Sequence, residues 1–374
     1  MNKSFGDDGW LKIHCLMQMD DTLVFASSRR SFEKKLSIGK THSDQLDQAM
    51  HPVKSKFFTV NVPPELLRPV NLGGVVISHT MKYVYLGTIL SNSTISEQAR
   101  DHIDSKSGSK WKFFSYLDKN RNAPYPVKEK VWSSALTASI YYSCDTWLGC
   151  DKRILSGPYL QTLKSLLSVR ETTCTDVVYT EAGVPSAETY VVSRQQSFLK
   201  RLYDRQDFFN SYIGWAVQEA IRVRSTMGKA ISKLTGDTLT RDTHTDAVSM
   251  SNSSRRMSYR DINPDLTRHL IYSTPSVPEF SRVSFTRLRL GSHYLRVETG
   301  RWARLPRHQR VCRCDKSSVQ DETHILFHCP LTAAVRAKYP EFTNIINCYE
   351  LYKQDNIIRI AMFCHECLRV ATEK

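Results

Sequence analysis

Apolar positions follow two different spacings along this chain, and the change from one to the other divides it. Over residues 1–92 they come in short runs set off by polar turns. Ile13 to Ala26 holds one such run, then the Asp20-Asp21 pair, then Leu23-Val24-Phe25-Ala26. That pattern predicts a β-hairpin with the two acids at its tip. Ser31 to Ala49 is polar, with Phe32, Leu36 and Leu46 as sparse apolar positions, and predicts a surface helix. Phe57 to Val60 reads as a strand ended by Pro63-Pro64, since proline donates nothing to a ladder. Val75-Val76-Ile77 and Tyr83 to Leu86 read as a strand pair about a turn at His79 to Lys82.

From residue 93 helical spacing takes over. Ser93, Thr94 and Ser96 offer caps for a helix reaching about Lys119. Pro126 suits a first helical turn, and Val127, Val131, Leu136 and Ile140 give the following helix, to Tyr142, an apolar side. Further helices are expected over Tyr159 to Val169, Ser186 to Arg205 and Asp207 to Met227. Residues 231–263 are rich in Ser, Thr and Asp without periodicity, and predict a linker or mobile loop. A last helix is expected over Asn356 to Thr372, with Ile357, Ile360, Ala361, Cys364 and Leu368 on one side. The fold class is therefore α+β. Its expected parts are a mixed segment at 1–92, a helical segment at 93–230, the linker at 231–263 and a small C-terminal domain at 264–374.

Composition narrows the function. The chain has 374 residues, 41% of them hydrophobic, enough to bury cores in two or three domains. A net charge of +15 calls for a polyanionic partner, nucleic acid before an anionic membrane. No apolar run is long enough to span a bilayer. Asp7 and Asp8 interrupt any signal-peptide pattern, so the ten cysteines are expected as reduced thiols or metal ligands, in nucleus or cytoplasm. The charge is also uneven. Ser254 to Arg313 carries thirteen arginines against four acids and no lysine, a surplus of nine.

The strongest chemical motif is Gln18-Met19-Asp20-Asp21-Thr22-Leu23-Val24-Phe25-Ala26. Adjacent carboxylates at an apolar turn suit divalent metals held against phosphates, although a solvated Asp-Asp turn has the same local sequence. The neighbouring segments add to it. Gly6 to Trp10 leads in, Val53-Lys54-Ser55-Lys56-Phe57-Phe58 follows, and then Lys82-Tyr83-Val84-Tyr85-Leu86-Gly87. In this order they resemble the aspartate-pair, lysine and primer-grip motifs of reverse transcriptases from non-LTR (LINE-type) retrotransposons. Tyr141 to Trp147 and Glu181-Ala182-Gly183-Val184-Pro185 resemble segments at and beyond that family's thumb.

The resemblance implies a partial palm, a helical thumb and connection, and an RNA-directed DNA polymerase lineage. Asp20 and Asp21 would hold magnesium, Lys54 would lie near the incoming triphosphate, and Tyr85, Leu86 and Gly87 would support the primer end. Gln18 stands where the family usually has an aromatic residue, and Pro52 interrupts the approach to the lysine motif. The family's further palm aspartate and its fingers lie upstream of the pair, and nineteen residues precede Asp20. The expectation is a truncated copy, inactive as a polymerase alone, poorly soluble, and either a nucleic-acid-binding module or a decayed product without a selected role.

Near the C-terminus, Cys312-x-Cys314, nine residues, then His324-x4-Cys329 offers four ligands of the kind that close a structural zinc site. His328 is one turn from His324 on a helix and competes with it. The cluster resembles the Cys-Cys-His-Cys element of the same retrotransposon family, whose spacing selects His324. Just before it, Arg287, Arg289, Arg296, Arg301, Arg304, Arg307 and Arg310 interleave with Phe285, Tyr294 and Trp302. Forked cations beside stacking rings suit RNA or DNA, while a merely solvated basic face has the same sequence. Cys364-His365-Glu366-Cys367 sits in the apolar last helix and reads as core packing.

Overall fold

The computed structural model describes residues 15–18, 21–60, 63, 66–236 and 243–373. The chain is mixed α+β, with small sheets near its start and helices after them. No helix among the described residues is long and apolar enough to cross a membrane. Contacts divide it into two units. The first takes 1–105, 142–151 and 194–238; the second takes 106–141, 152–193 and 239–374. The C-terminal segment thus shares a unit with helices of the segment that the resemblance likens to a thumb.

In the first unit, Cys15–Gln18 pairs antiparallel with Asp21–Val24, the expected hairpin. The Leu16 and Met17 side chains are exposed in this ribbon. Arg29–Gln45 is a helix with no buried residue, as its sparse apolar stripe predicts. The strand pairing downstream differs from expectation. Val75–His79 pairs antiparallel with Val70–Leu72 and parallel with Lys56–Phe57. Lys82–Tyr85 pairs instead with Thr88–Ser91. The turn chemistry decides it. Gly73-Gly74 and Leu86-Gly87 all have positive φ, so each pair closes a tight hairpin that His79 to Lys82 does not.

Thr94 and Glu97 form a reciprocal capping box for the helix Ile95–Ser105, which ends before a separate helix Ser107–Lys119. Leu148, Leu199, Phe208, Val217 and Ile231 make one buried apolar cluster of this unit. The helices Tyr212–Arg222 and Thr226–Gly236 close on it, where one continuous helix to Met227 is expected. Ser225 breaks that run by donating to the Ala220 carbonyl and capping Gly228 N.

In the second unit the helix Tyr125–Val131 continues through a π-helical segment, Trp132–Thr137, to Ala138–Ile140. Ser156–Leu167 and Ala187–Tyr203 match the expected helices, the latter crossing from one unit into the other, and Thr175–Ala182 is a further helix that was not expected. The expected linker is corrected. Within 231–263, His244–Met250 and Ser254–Ile262 are helices packed on Thr175–Ala182 and on Cys348–Tyr352 respectively. Their polarity reflects ionic anchoring: Arg256 pairs with Asp176, and Tyr259 reaches Glu181. Glu279–Arg289 packs along the last helix, Ile357–Thr372, which lies where expected and is capped by Asn356. Ile360, Ala361, Cys364 and Leu368 lie buried on its inner side, with Phe363, Cys367 and Ala371. Burial pushes the Cys364 thiol well up and that of Cys367 up to about 12, as suits packing thiols.

Candidate metal centre and the fate of the arginines

The ligand atoms of Cys312, Cys314, His324 and Cys329 all lie within 4.8 Å of one another. Two turns bring them together. Asp315 accepts from Ser317 N, Ser318 N and Ser318 Oγ, and Ser318 O accepts from Cys312 N at 2.7 Å. This tight loop aims both cysteines at one point, and an antiparallel bridge between Val311 and Val319 closes it. Opposite, Asp321 accepts from His324 N at 3.0 Å and starts the π-helical turn His324–His328. Cys329 N then returns to His324 O at 2.7 Å.

Cys312 Sγ is 3.8 Å from Cys329 Sγ, and Cys314 Sγ is 3.2 Å from His324 Nε2. Tetrahedral zinc with sulfur at about 2.3 Å sets its thiolates about 3.8 Å apart, so the cage has the right size. Cys312, His324 and Cys329 are buried; Cys314 is half-buried. Desolvation, then the neighbouring Cys312 and Cys329 thiols, pushes the Cys314 thiol up to about 12. A divalent cation reverses that balance, because it binds thiolates and expels their protons. The cluster could hold a metal such as zinc. His328 is exposed and outside it.

Gln320 ties this centre to its surroundings. Its Nε2 donates to Cys312 Sγ at 3.6 Å and to Ala371 O at 3.1 Å, while its Oε1 accepts from Arg296 N. Asp321 also pairs with Arg307, so the loop, the last helix and the arginine stretch are one hydrogen-bonded assembly.

Compared with known proteins, the chain matches no family model, no curated sequence and no solved structure.

The arginines expected at nucleic acid divide by burial. Arg296, Arg304 and Arg307 are exposed; Arg287, Arg301 and Arg310 are half-buried. Arg289 is corrected outright. It is 4% exposed and donates both Nε and Nη2 to Glu181, at 2.7 and 2.9 Å. Tyr259 and Tyr272 donate to the same carboxylate. Burial alone would raise the Glu181 carboxyl, but Arg289 and the two phenols outweigh it and hold it below the usual range. Arg310 is corrected too, since its guanidinium is spent on the carbonyls of Leu305 and Val297. A helix facing the core still carries arginine where a buried acid receives it, and sequence spacing cannot show that acid.

Of the palm-like residues, Asp20 lies outside the described residues. Asp21 is exposed at the start of its strand, opposite Gln18. Among the described residues, no group of three or more metal-ligating side chains includes it. Lys54 is exposed in a turn. Tyr85, Leu86 and Gly87 form the hairpin end, where Leu86 O accepts from Tyr142 Oη at 3.0 Å. Arg170 lies outside the arginine-rich window and carries no sequence signal, and Arg255 lies within that window but was not singled out, yet both meet its residues, as argued below.

Proposed function

We propose that this chain is a portion of a non-LTR retrotransposon reverse transcriptase, and that its second unit is a zinc-stabilised module binding RNA or DNA. The Cys312, Cys314, His324 and Cys329 geometry carries the reading. It holds a basic stretch in place through Gln320 and Asp321. Structural zinc sites of this ligand type supply folding energy to small basic elements. The motif order around Asp20, Asp21, Lys54 and Tyr85 supports the lineage, and that lineage assigns magnesium to the aspartate pair. Polymerase activity of the chain alone is not part of the proposal.

Two measurements on the purified chain test it. Elemental analysis should find one zinc per chain. Fluorescence anisotropy with labelled oligonucleotides should show affinity that falls steeply with salt, because phosphate contacts release counterions. A folded protein that takes up no zinc would overturn the metal assignment. Affinity that is absent or insensitive to salt would overturn the binding one. Templated product in a primer-extension assay would make the chain a polymerase in its own right.

A further inference from the structure

Four arginines from four separate segments gather in the second unit. Arg170 follows the helix Ser156–Leu167, Arg255 lies in Ser254–Ile262, Arg287 in Glu279–Arg289, and Arg301 in Arg296–Trp302. Three of them share one acid. Glu298 accepts from Arg170 at 3.1 Å, lies 3.6 Å from Arg255, and also pairs with Arg301. One carboxylate cannot neutralise three guanidiniums. Desolvation first, then Arg255, Arg170 and Arg310, pushes Arg301 down to about 10. Arg170 and Arg287 shift the same way, chiefly by desolvation. Guanidinium does not give up its proton in proteins, so the mutual repulsion persists as attraction for an anion.

Beside this cluster is a groove of about 540 Å³, lined by Phe114, Asp118, Arg121, Arg170, Arg287 and Tyr294, with the Ser165, Ser168 and Ser292 side of its wall supplying small polar groups. Asp118 is its one acid and is paired with Arg121. The volume is in the range of sites that enclose a small ligand. Tyr294 is 60% exposed and Trp302 45% exposed, and their rings meet edge to face at 5.8 Å. The Arg170 guanidinium sits 4.3 Å over the Trp302 ring. Cations beside exposed rings match a polyanion whose bases are free to stack. A duplex hides its base faces, and a single strand presents them.

We propose that this groove seats single-stranded nucleic acid, with Arg170 and Arg287 facing a backbone phosphate and Tyr294 stacking on an adjacent base. It rests on the nucleic-acid reading above and names the strand form and the residues that reading lacks.

The test is fluorescence anisotropy on the zinc-loaded full chain. The probes are a labelled 15-nucleotide oligo-U, the matching oligo-dT, and a 15-base-pair duplex. Tyr294→Ala should weaken single-strand binding by roughly tenfold or more, through one lost stacking contact. Tyr294→Phe should bind like the parent, and the duplex should be unaffected by either change. Arg287→Gln should weaken single-strand binding and lower the salt slope by about one phosphate. Zinc content and melting temperature serve as folding checks, and Tyr294, being exposed, keeps the test valid if Arg287→Gln misfolds. If Tyr294→Ala and Arg287→Gln bind single strands like the parent, the groove is overturned while nucleic-acid binding stands. A duplex weakened as much as the single strand overturns the single-strand assignment. If the parent chain binds none of the probes, the proposed function itself fails.

Discussion

Replacing Arg289 with methionine removes the only cation that reaches Glu181 in the described structure. Glu181 is fully buried and receives two charge-assisted hydrogen bonds from Arg289, at 2.7 and 2.9 Å. Without them the carboxylate is stranded, and breaking a buried pair from one side costs about 3–5 kcal/mol. A second route gives a similar figure. Glu181 can escape by taking up a proton, and at pH 7 that costs about 3.4 kcal/mol relative to an ordinary value of 4.5. For a unit of this size the loss should lower the melting temperature by roughly 10 °C.

Glu181→Gln on the Arg289→Met background should restore at least half of the loss. Tyr259 and Tyr272 donate to different oxygens of Glu181; glutamine keeps an acceptor for one phenol, presents an N–H to the other's oxygen, and removes the stranded charge. Thermal melts by circular dichroism, with zinc content held equal, read both changes. Oligonucleotide affinity, measured well below the melting temperature, should be unchanged. The reasoning is refuted if Arg289→Met melts within about 2 °C of the parent. It is equally refuted if Arg289→Met keeps its stability and loses binding, which would return Arg289 to the nucleic-acid interface.

Three further outcomes are expected. Cys312→Ser should abolish stoichiometric zinc on elemental analysis, while His328→Ala, exposed and outside the cluster, should keep it. Gly228→Ala should destabilise the first unit by about 1–3 kcal/mol in a denaturant titration, because a Cβ there would meet Ala220 O at 1.9 Å. Glu181 is held below the ordinary carboxylate range, so its contribution is present above pH 4.5 and is lost as pH falls through its folded value. Acid titrations of stability should therefore be steeper for the parent than for Glu181→Gln, with metal release common to both.

The features legible in the sequence were those set by local spacing. The hairpin at Asp21, the capped last helix and the ligand quartet each lie within one short segment, where turn chemistry and periodicity act directly. Strand partners were less legible, because the apolar runs at Val75 and Tyr83 suit several pairings. The positive φ at Gly73-Gly74 and Leu86-Gly87 chose among them. The helices within 243–263 were illegible for a different reason. Their anchoring acids, Asp176 and Glu181, lie about 80 residues away, and ion pairs across that separation leave no periodic trace.

The same distinction bears on what the basic surplus is for. Several arginines of the second unit that enter packed regions have a carboxylate of their own: Arg289 has Glu181, Arg268 has Glu129 and Arg256 has Asp176, while Arg282 shares Glu279 with Lys128. Those pairs explain themselves as structure, since each charge is neutralised where it is desolvated. Arg170, Arg255 and Arg301 break the pattern by crowding around Glu298 alone. Like charges brought together and partly desolvated cost free energy, against which stand hydrogen bonds from Arg170 to Gly291 O and from Arg255 to Thr172 O and the Trp302 ring beneath Arg170. Stability alone would favour a second acid, or apolar replacements of similar volume. On the proposed reading an anion supplied from outside accounts for the arrangement, and the exposed Tyr294 beside it is what favours one carrying a base.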